Sequence, residues 1–196
     1  YNKSMNIKNI LDKLVSNIIV YASYTLMIFL WSSFFYNFGH DIDFLLFYFP
    51  FGIIILAFLF FGNKVIFGML LSHITLYFTL KYYDLDLPFN HYFTLSLYQL
   101  TCMPITLLTL RRFNITIGVS NNFTLDKTNI YHVLLVTFLS VVVLGTLVIF
   151  TSILYEEQIN VLKFIIGNFL GGAVLIVSMK LIVNLTTIFK NFVKSN

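Results

Sequence analysis

Lys180 is the residue whose chemistry fits its surroundings least. It interrupts an otherwise uncharged run from Phe164 to about Phe189, and a charge at the centre of a bilayer costs at least about 2.5–3.5 kcal/mol. An ammonium held there could bind an anionic ligand or pair within a complex. The competing reading is a lysine that snorkels toward the inner headgroups beside Asn184, one turn away. His73 lies in another apolar run, where it either faces Lys180 or the bundle interior, or simply packs and hydrogen-bonds. Gly167-Asn168-Phe169-Leu170-Gly171-Gly172 opens the run that carries Lys180. Gly167 and Gly171 form a small-xxx-small pair that lets a helix approach closely, from within the chain or from a second subunit. Asn168 would stand near the outer interface, its amide available to a neighbouring helix or a ligand.

The remaining polar groups gather in the connections. Asp41/Asp43, Asp84/Asp86 and Glu156/Glu157, with His40 and His91 close by, either converge on a divalent cation or collect on the face that excludes lysine and arginine. Arg111 and Arg112 read as membrane-surface anchors, suited to a helix C-terminus and to anionic headgroups. The lone Cys102 rules out a disulfide framework and a cysteine-based metal site. No nucleophile–base pair, phosphate loop or His-Glu-x-x-His spacing is found. The expectation is therefore a protein that is not an enzyme, with no catalytic residues, no resident metal or cofactor, and no nucleic-acid partner.

The elements that must position these residues are membrane helices. A helix needs about 20 apolar residues to cross a hydrocarbon layer of about 30 Å. Charge-poor runs of that order predict one all-α integral membrane domain over 1–196, with spans at 14–36, 44–61, 65–80, 92–110, 131–155 and 164–189. The third is short and would borrow flanking residues. The tight Gly62-Asn63-Lys64 connection predicts an antiparallel hairpin of the second and third spans. Nine of the twelve basic residues then fall on one face: Lys3, Lys8, Lys13, Lys64, Arg111, Arg112, Lys127, Lys190 and Lys194. The opposite face keeps only Lys81 and Lys163, so six spans with both termini cytoplasmic satisfy the positive-inside rule. Ile7, Ile10, Leu11, Leu14, Val15 and Ile18 recur at helical spacing before the first span. They read either as an interfacial amphipathic helix or as a cytoplasmic extension of the first helix.

Composition agrees with a membrane setting. The chain is 59% apolar and 10% charged, with a mean hydropathy of +0.88, against about 45–50% and about 25% for soluble domains. Twenty-three Phe and twelve Tyr beside three Pro point to an AT-rich coding genome, hence the inner membrane of a streamlined bacterium or of a mitochondrion. The first apolar run is too long for a cleaved signal peptide and lacks a small-residue cleavage site.

Phe49-Pro50-Phe51-Gly52, the run to Phe61-Gly62, Gly68, Gln99, Pro104, Arg111-Arg112 and the Gly167-Asn168-x-x-Gly171-Gly172 motif together resemble the membrane-associated sensor domains of bacterial signalling proteins, over about residues 45–180. The resemblance implies a multi-helix sensing module with Pro50, Gly52, Gly62, Asn168 and Gly171 as its structural signature. Asn168 stands where that family tends to have Asp, and six spans replace about eight. The resulting expectation is a non-catalytic sensor-like or accessory subunit docked to other membrane proteins, with Phe47, Tyr48, Phe49 and Phe51 as packing surface. Two alternatives fit the same topology: the substrate-binding component of an energy-coupling-factor transporter, and a structural subunit of a respiratory or other large membrane complex. The topology itself is testable by cysteine accessibility. Asp41→Cys should react with an impermeant maleimide only from outside, and Ser120→Cys only from the cytoplasmic side. Either residue reacting from the wrong side would remove the six-span arrangement.

Overall fold

In hydrocarbon every backbone N–H and C=O must be satisfied within the chain, so apolar runs fold as helices. The computed structural model describes residues 7–37, 48–82, 89–113, 129–155 and 161–195, and every element among them is helical. These are α1 (Ile7–Asn37), α2 (Pro50–Phe61), a 3₁₀ turn (Gly62–Val65), α3 (Ile66–Tyr82), α4 (Phe89–Arg112), α5 (Ile130–Tyr155) and α6 (Val161–Ser195). Among the described residues five stretches are long and apolar enough to cross a membrane: Ile10–Ser33, Pro50–Phe78, Tyr92–Arg112, Ile130–Phe150 and Val161–Ile188. The second of them contains α2, the 3₁₀ turn and α3.

That stretch is not one straight helix. Gly62 sits at φ +63°, a left-handed conformation that glycine adopts without a Cβ penalty. Asn17 of α1 then holds the turn: its Nδ2 donates to the Lys64 carbonyl at 2.7 Å, and its Oδ1 accepts from the Gly68 N–H at 2.6 Å, capping the start of α3. Further along, Tyr21 meets Ser72 and Thr75, and Tyr24 meets His73. α1 and α3 therefore run parallel. Tyr48, just before α2, packs against Tyr24 and Trp31, whereas Lys64 meets Asn17, so α2 runs the other way. The predicted reversal at residues 62–64 is present, with both arms of the hairpin packing on α1.

α2 is the central helix. PFGIIILAFLFF is apolar on every side, and Pro50 through Leu59 are all buried, as expected of a helix with no polar face. Its start docks on the glycine face of α6. The Tyr48 N–H donates to the Gly167 carbonyl at 3.0 Å, and a Cβ on Gly171 would run into the Tyr48–Phe49 backbone. Gly52 lies against Leu175 and Gly172. The Gly167/Gly171 pair thus serves an approach within the chain. Phe51 is fully buried, so it packs within the chain and not as surface toward a partner; Tyr48 and Phe49 are half-buried, and Phe47 lies outside the described residues.

Three placements refine the sequence reading. The amphipathic segment from Ile7 continues into α1 without a break, so no separate interfacial helix precedes the first span among the described residues. The second span begins as a helix at Pro50; positions 44–47 lie outside the described residues. Lys180 is not deep in the bundle. α5 and α6 are antiparallel, with Gly145 opposite Ile165, Phe138 against Phe169 and Thr137 beside Gly172. The same register, continued, sets Lys180 opposite the first turn of α5 at Ile130. Ser140 of α5 contacts Met103 of α4, so Arg111 and Arg112 end at that level as well. Lys13, one turn from Asn17, and Lys64 belong to the same end.

The glycine face offers a stability test. A methyl group on Gly171 meets backbone, whereas on Gly172 it meets side-chain atoms of Phe51 and Thr137 at 3.4 Å. Gly171→Ala should cost about 1–3 kcal/mol, in the range of overpacking, and Gly172→Ala clearly less. Thermal unfolding in detergent measures both. Equal shifts would mean that the two helices separate readily.

Candidate functional site

Four segments bring polar side chains to one point inside the bundle. Tyr24 of α1 is fully buried. Its hydroxyl lies 3.2 Å from the Tyr48 hydroxyl before α2, 3.4 Å from His73 Nε2 on α3 and 3.5 Å from Gln99 Oε1 on α4. The directions follow from valence. A carbonyl oxygen only accepts, so with the amide in this orientation the single Tyr24 proton goes to Gln99. The phenol oxygen then accepts from the Tyr48 O–H and from Nε2–H of His73. All three contacts lie at or beyond the long end of hydrogen-bond range, so the centre is satisfied but loosely held.

A second layer orients the first. The Tyr24 and His73 rings sit 5.1 Å apart at 59°, and Trp31 meets Tyr48 edge-on at 5.0 Å. Tyr92 donates to the His73 carbonyl at 3.0 Å, and Ser96, one turn on, donates to the Tyr92 carbonyl. Tyr77 packs on both Phe89 and Tyr92, closing the α3–α4 contact above the cluster. Among the described residues two buried side-chain oxygens, Thr25 Oγ1 on α1 and Asn168 Oδ1 on α6, have no hydrogen-bond partner. A buried polar atom without a partner costs about 1–3 kcal/mol, and such groups mark places where a water or ligand is held.

Of the residues singled out from the sequence, His73 is brought into this centre through Tyr24, away from Lys180. Gln99, part of the motif set, joins it. Asn168 is 2% exposed; its Nδ2 bonds its own helix at Phe164, which leaves Oδ1 facing the interior. Gly167 and Gly171 do not line the centre but seat the segment that carries Tyr48. Lys180 stands roughly 14 Å along α6 from Gly171, half-buried on the side shared with Val183 and Asn184. Arg111 and Arg112 are exposed at the end of α4. The acidic pairs and His40 lie outside the described residues, as does the side chain of His91.

Tyr24 and Tyr92 were not singled out, and Tyr48 was named only as packing surface, because twelve tyrosines give any one of them little weight. A usable signal existed: Asn17, Tyr21 and Tyr24 recur at helical spacing within an apolar run, and Gly68, Ser72 and Thr75 do the same on α3. Chemically, phenols, an amide and an imidazole can donate and accept hydrogen bonds and stack on a planar molecule.

Comparison with protein-family models, curated proteins and solved structures finds no match.

Removing the shared hydroxyl should be felt more than removing a peripheral one. Tyr24→Phe leaves Gln99, Tyr48 and His73 without their common partner and should cost about 1–3 kcal/mol. Tyr21→Phe loses one contact to Thr75 at 3.3 Å and should cost nearer 0.6 kcal/mol, the usual scale for hydrogen bonds in membranes. Unfolding in detergent decides. Equal losses would show that Tyr24 is no hub.

Proposed function

We propose that this chain is a non-catalytic, sensor-like subunit of a bacterial inner membrane that recognises a small polar molecule at the Tyr24 centre and works docked to other membrane proteins. The observation that supports this most is the convergence of Tyr24, Tyr48, His73 and Gln99 from four segments in an otherwise apolar bundle. Polar groups inside a membrane protein are costly and therefore mark function by default. The loose geometry fits a site that is completed by a ligand with hydrogen-bond donors. Neutral phenols and an amide without a nucleophile fit recognition better than turnover.

On this reading the bundle crosses the membrane six times with both termini in the cytoplasm, α2 being the central pass. The alternation of helix directions supports that count: α1, α3 and α5 run one way, α2, α4 and α6 the other. The basic end, with Lys13, Lys64, Arg111, Arg112 and Lys180, is then cytoplasmic. The centre falls in the half nearer the outside, because it lies toward the N-terminal ends of α4 and α6.

The same placement favours one second reading, the substrate-binding component of an energy-coupling transporter. Gentle extraction followed by mass spectrometry separates the two. The sensor reading expects further membrane subunits to co-purify, with any small molecule only weakly retained and lost in Tyr24→Phe. A solitary, well-behaved chain that keeps a vitamin-like molecule supports the transporter. A chain that co-purifies with neither would defeat both.

A further inference from the structure

α4 and α5 carry matched outer stripes. The two helices run in opposite directions and touch where Ser140 meets Met103, so positions displaced equally from that contact stand level. Arg112 is then level with Tyr131, Leu108 with Leu135, and Ile105 with Phe138. Each trio follows a 4-3 spacing along one side of its helix. All six side chains are exposed, Tyr131 at 75% and Leu108 at 64%. On both helices, therefore, a group with a polar tip at the basic end stands over two large apolar ones. Arg111 and His132, also exposed, share the level of that end.

That order of groups matches a phospholipid read from headgroup to chain. Guanidinium groups offer paired N–H donors that fit phosphate oxygens, a geometry an ammonium lacks. Tyrosine is at home at the depth of the headgroups, and leucine and phenylalanine below it among acyl chains. The positive end of the α5 dipole lies at the same level and adds to the attraction. Lys180, across α5, brings a further cation there. The only carboxylate among the described residues is that of Asp12, on α1, which packs chiefly against α2 and α3. Charge then selects among headgroups. One that carries its own ammonium sets a cation beside guanidinium groups, whereas an anionic one meets only complementary charge. This requires that the bundle cross a membrane, whichever side its basic end faces.

We infer that the outer face of α4 and α5 at the basic end holds an anionic phospholipid, its phosphate on Arg111 and Arg112 and its chains along Leu108, Leu135 and Phe138. A lipid that binds the folded chain stabilises it by mass action, so thermal unfolding of the full chain in detergent reads the site. Added phosphatidylglycerol should raise the midpoint by several degrees. Phosphatidylethanolamine with the same acyl chains should raise it by less than half as much. In the double variant Arg111→Gln/Arg112→Gln the phosphatidylglycerol shift should fall by more than half. Lys64→Gln, at the same end but on the turn between α2 and α3, should keep it. Each variant is compared with its own midpoint without lipid, so a change in intrinsic stability is read separately. No shift, equal shifts from the two lipids, or an equal loss in Lys64→Gln would overturn the inference, the last two by reducing the face to unselective surface charge. Inorganic phosphate or glycerol phosphate matching the effect of phosphatidylglycerol would overturn it as well, by showing a site for free phosphate and not for lipid.

Discussion

The approach of the Tyr48–Gly52 backbone to the glycine face of α6 is the contact on which the rest of this bundle depends. In lipid, apolar side chains gain little by leaving acyl chains for one another, so close packing and a few hydrogen bonds must choose the arrangement. Gly171 and Gly172 remove the side chains that would hold two backbones apart, and the Tyr48 N–H reaches the Gly167 carbonyl at 3.0 Å as a result. α2 is apolar all round and carries no polar face of its own to orient it. Its seat on α6 fixes where it starts, and hence where the Tyr48 side chain can point. The Tyr24 centre is a consequence of that seat.

A polar ladder between α1 and α3 supplies the second constraint. Asn17 with Lys64 and Gly68, Tyr21 with Ser72 and Thr75, and Tyr24 with His73 form three rungs along two parallel helices. The lowest rung is the tightest, at 2.6–2.7 Å, and the top rung the loosest, at 3.4 Å. Hydrogen bonds in membranes average about 0.6 kcal/mol, so no rung holds the pair alone. What the ladder supplies is register: a one-residue slip would unpair Asn17 from both backbone groups of the turn. The loose upper end coincides with the candidate site.

Helix existence and type were legible, because long uncharged runs have no other solution in a bilayer. The glycine motif near residue 167 was legible as a close-approach face, though its occupant was not, since a small-xxx-small pair reads alike for an internal helix and for a second subunit. Phe51 read as packing surface toward a partner and instead lies in the core of the chain. A helix apolar on every side carries no mark that distinguishes lipid from protein, so this inversion was open to no argument from pattern. The candidate site was half visible. His73 stood out as a polar residue in an apolar run and Gln99 entered only through the resemblance motif, while Tyr24 was not singled out and Tyr48 read only as packing surface, because phenols are at home in the core, at the interface and facing lipid alike.

Lys180 shows why an apolar run does not place a charge in depth. From Phe164 to Phe189 the sequence offers more residues than a bilayer needs, so the boundary can fall anywhere along the surplus. Counting from the two ends of the run put the lysine within the span, as a candidate for binding or for snorkelling. In the bundle, α5 begins at Ile130 and α4 ends at Arg112, and the α5–α6 register brings Lys180 to that same end. That end also carries Arg111, Arg112, Lys13 and Lys64, so depth counted along the run and depth read from the packing of the helices differ by the length of the surplus.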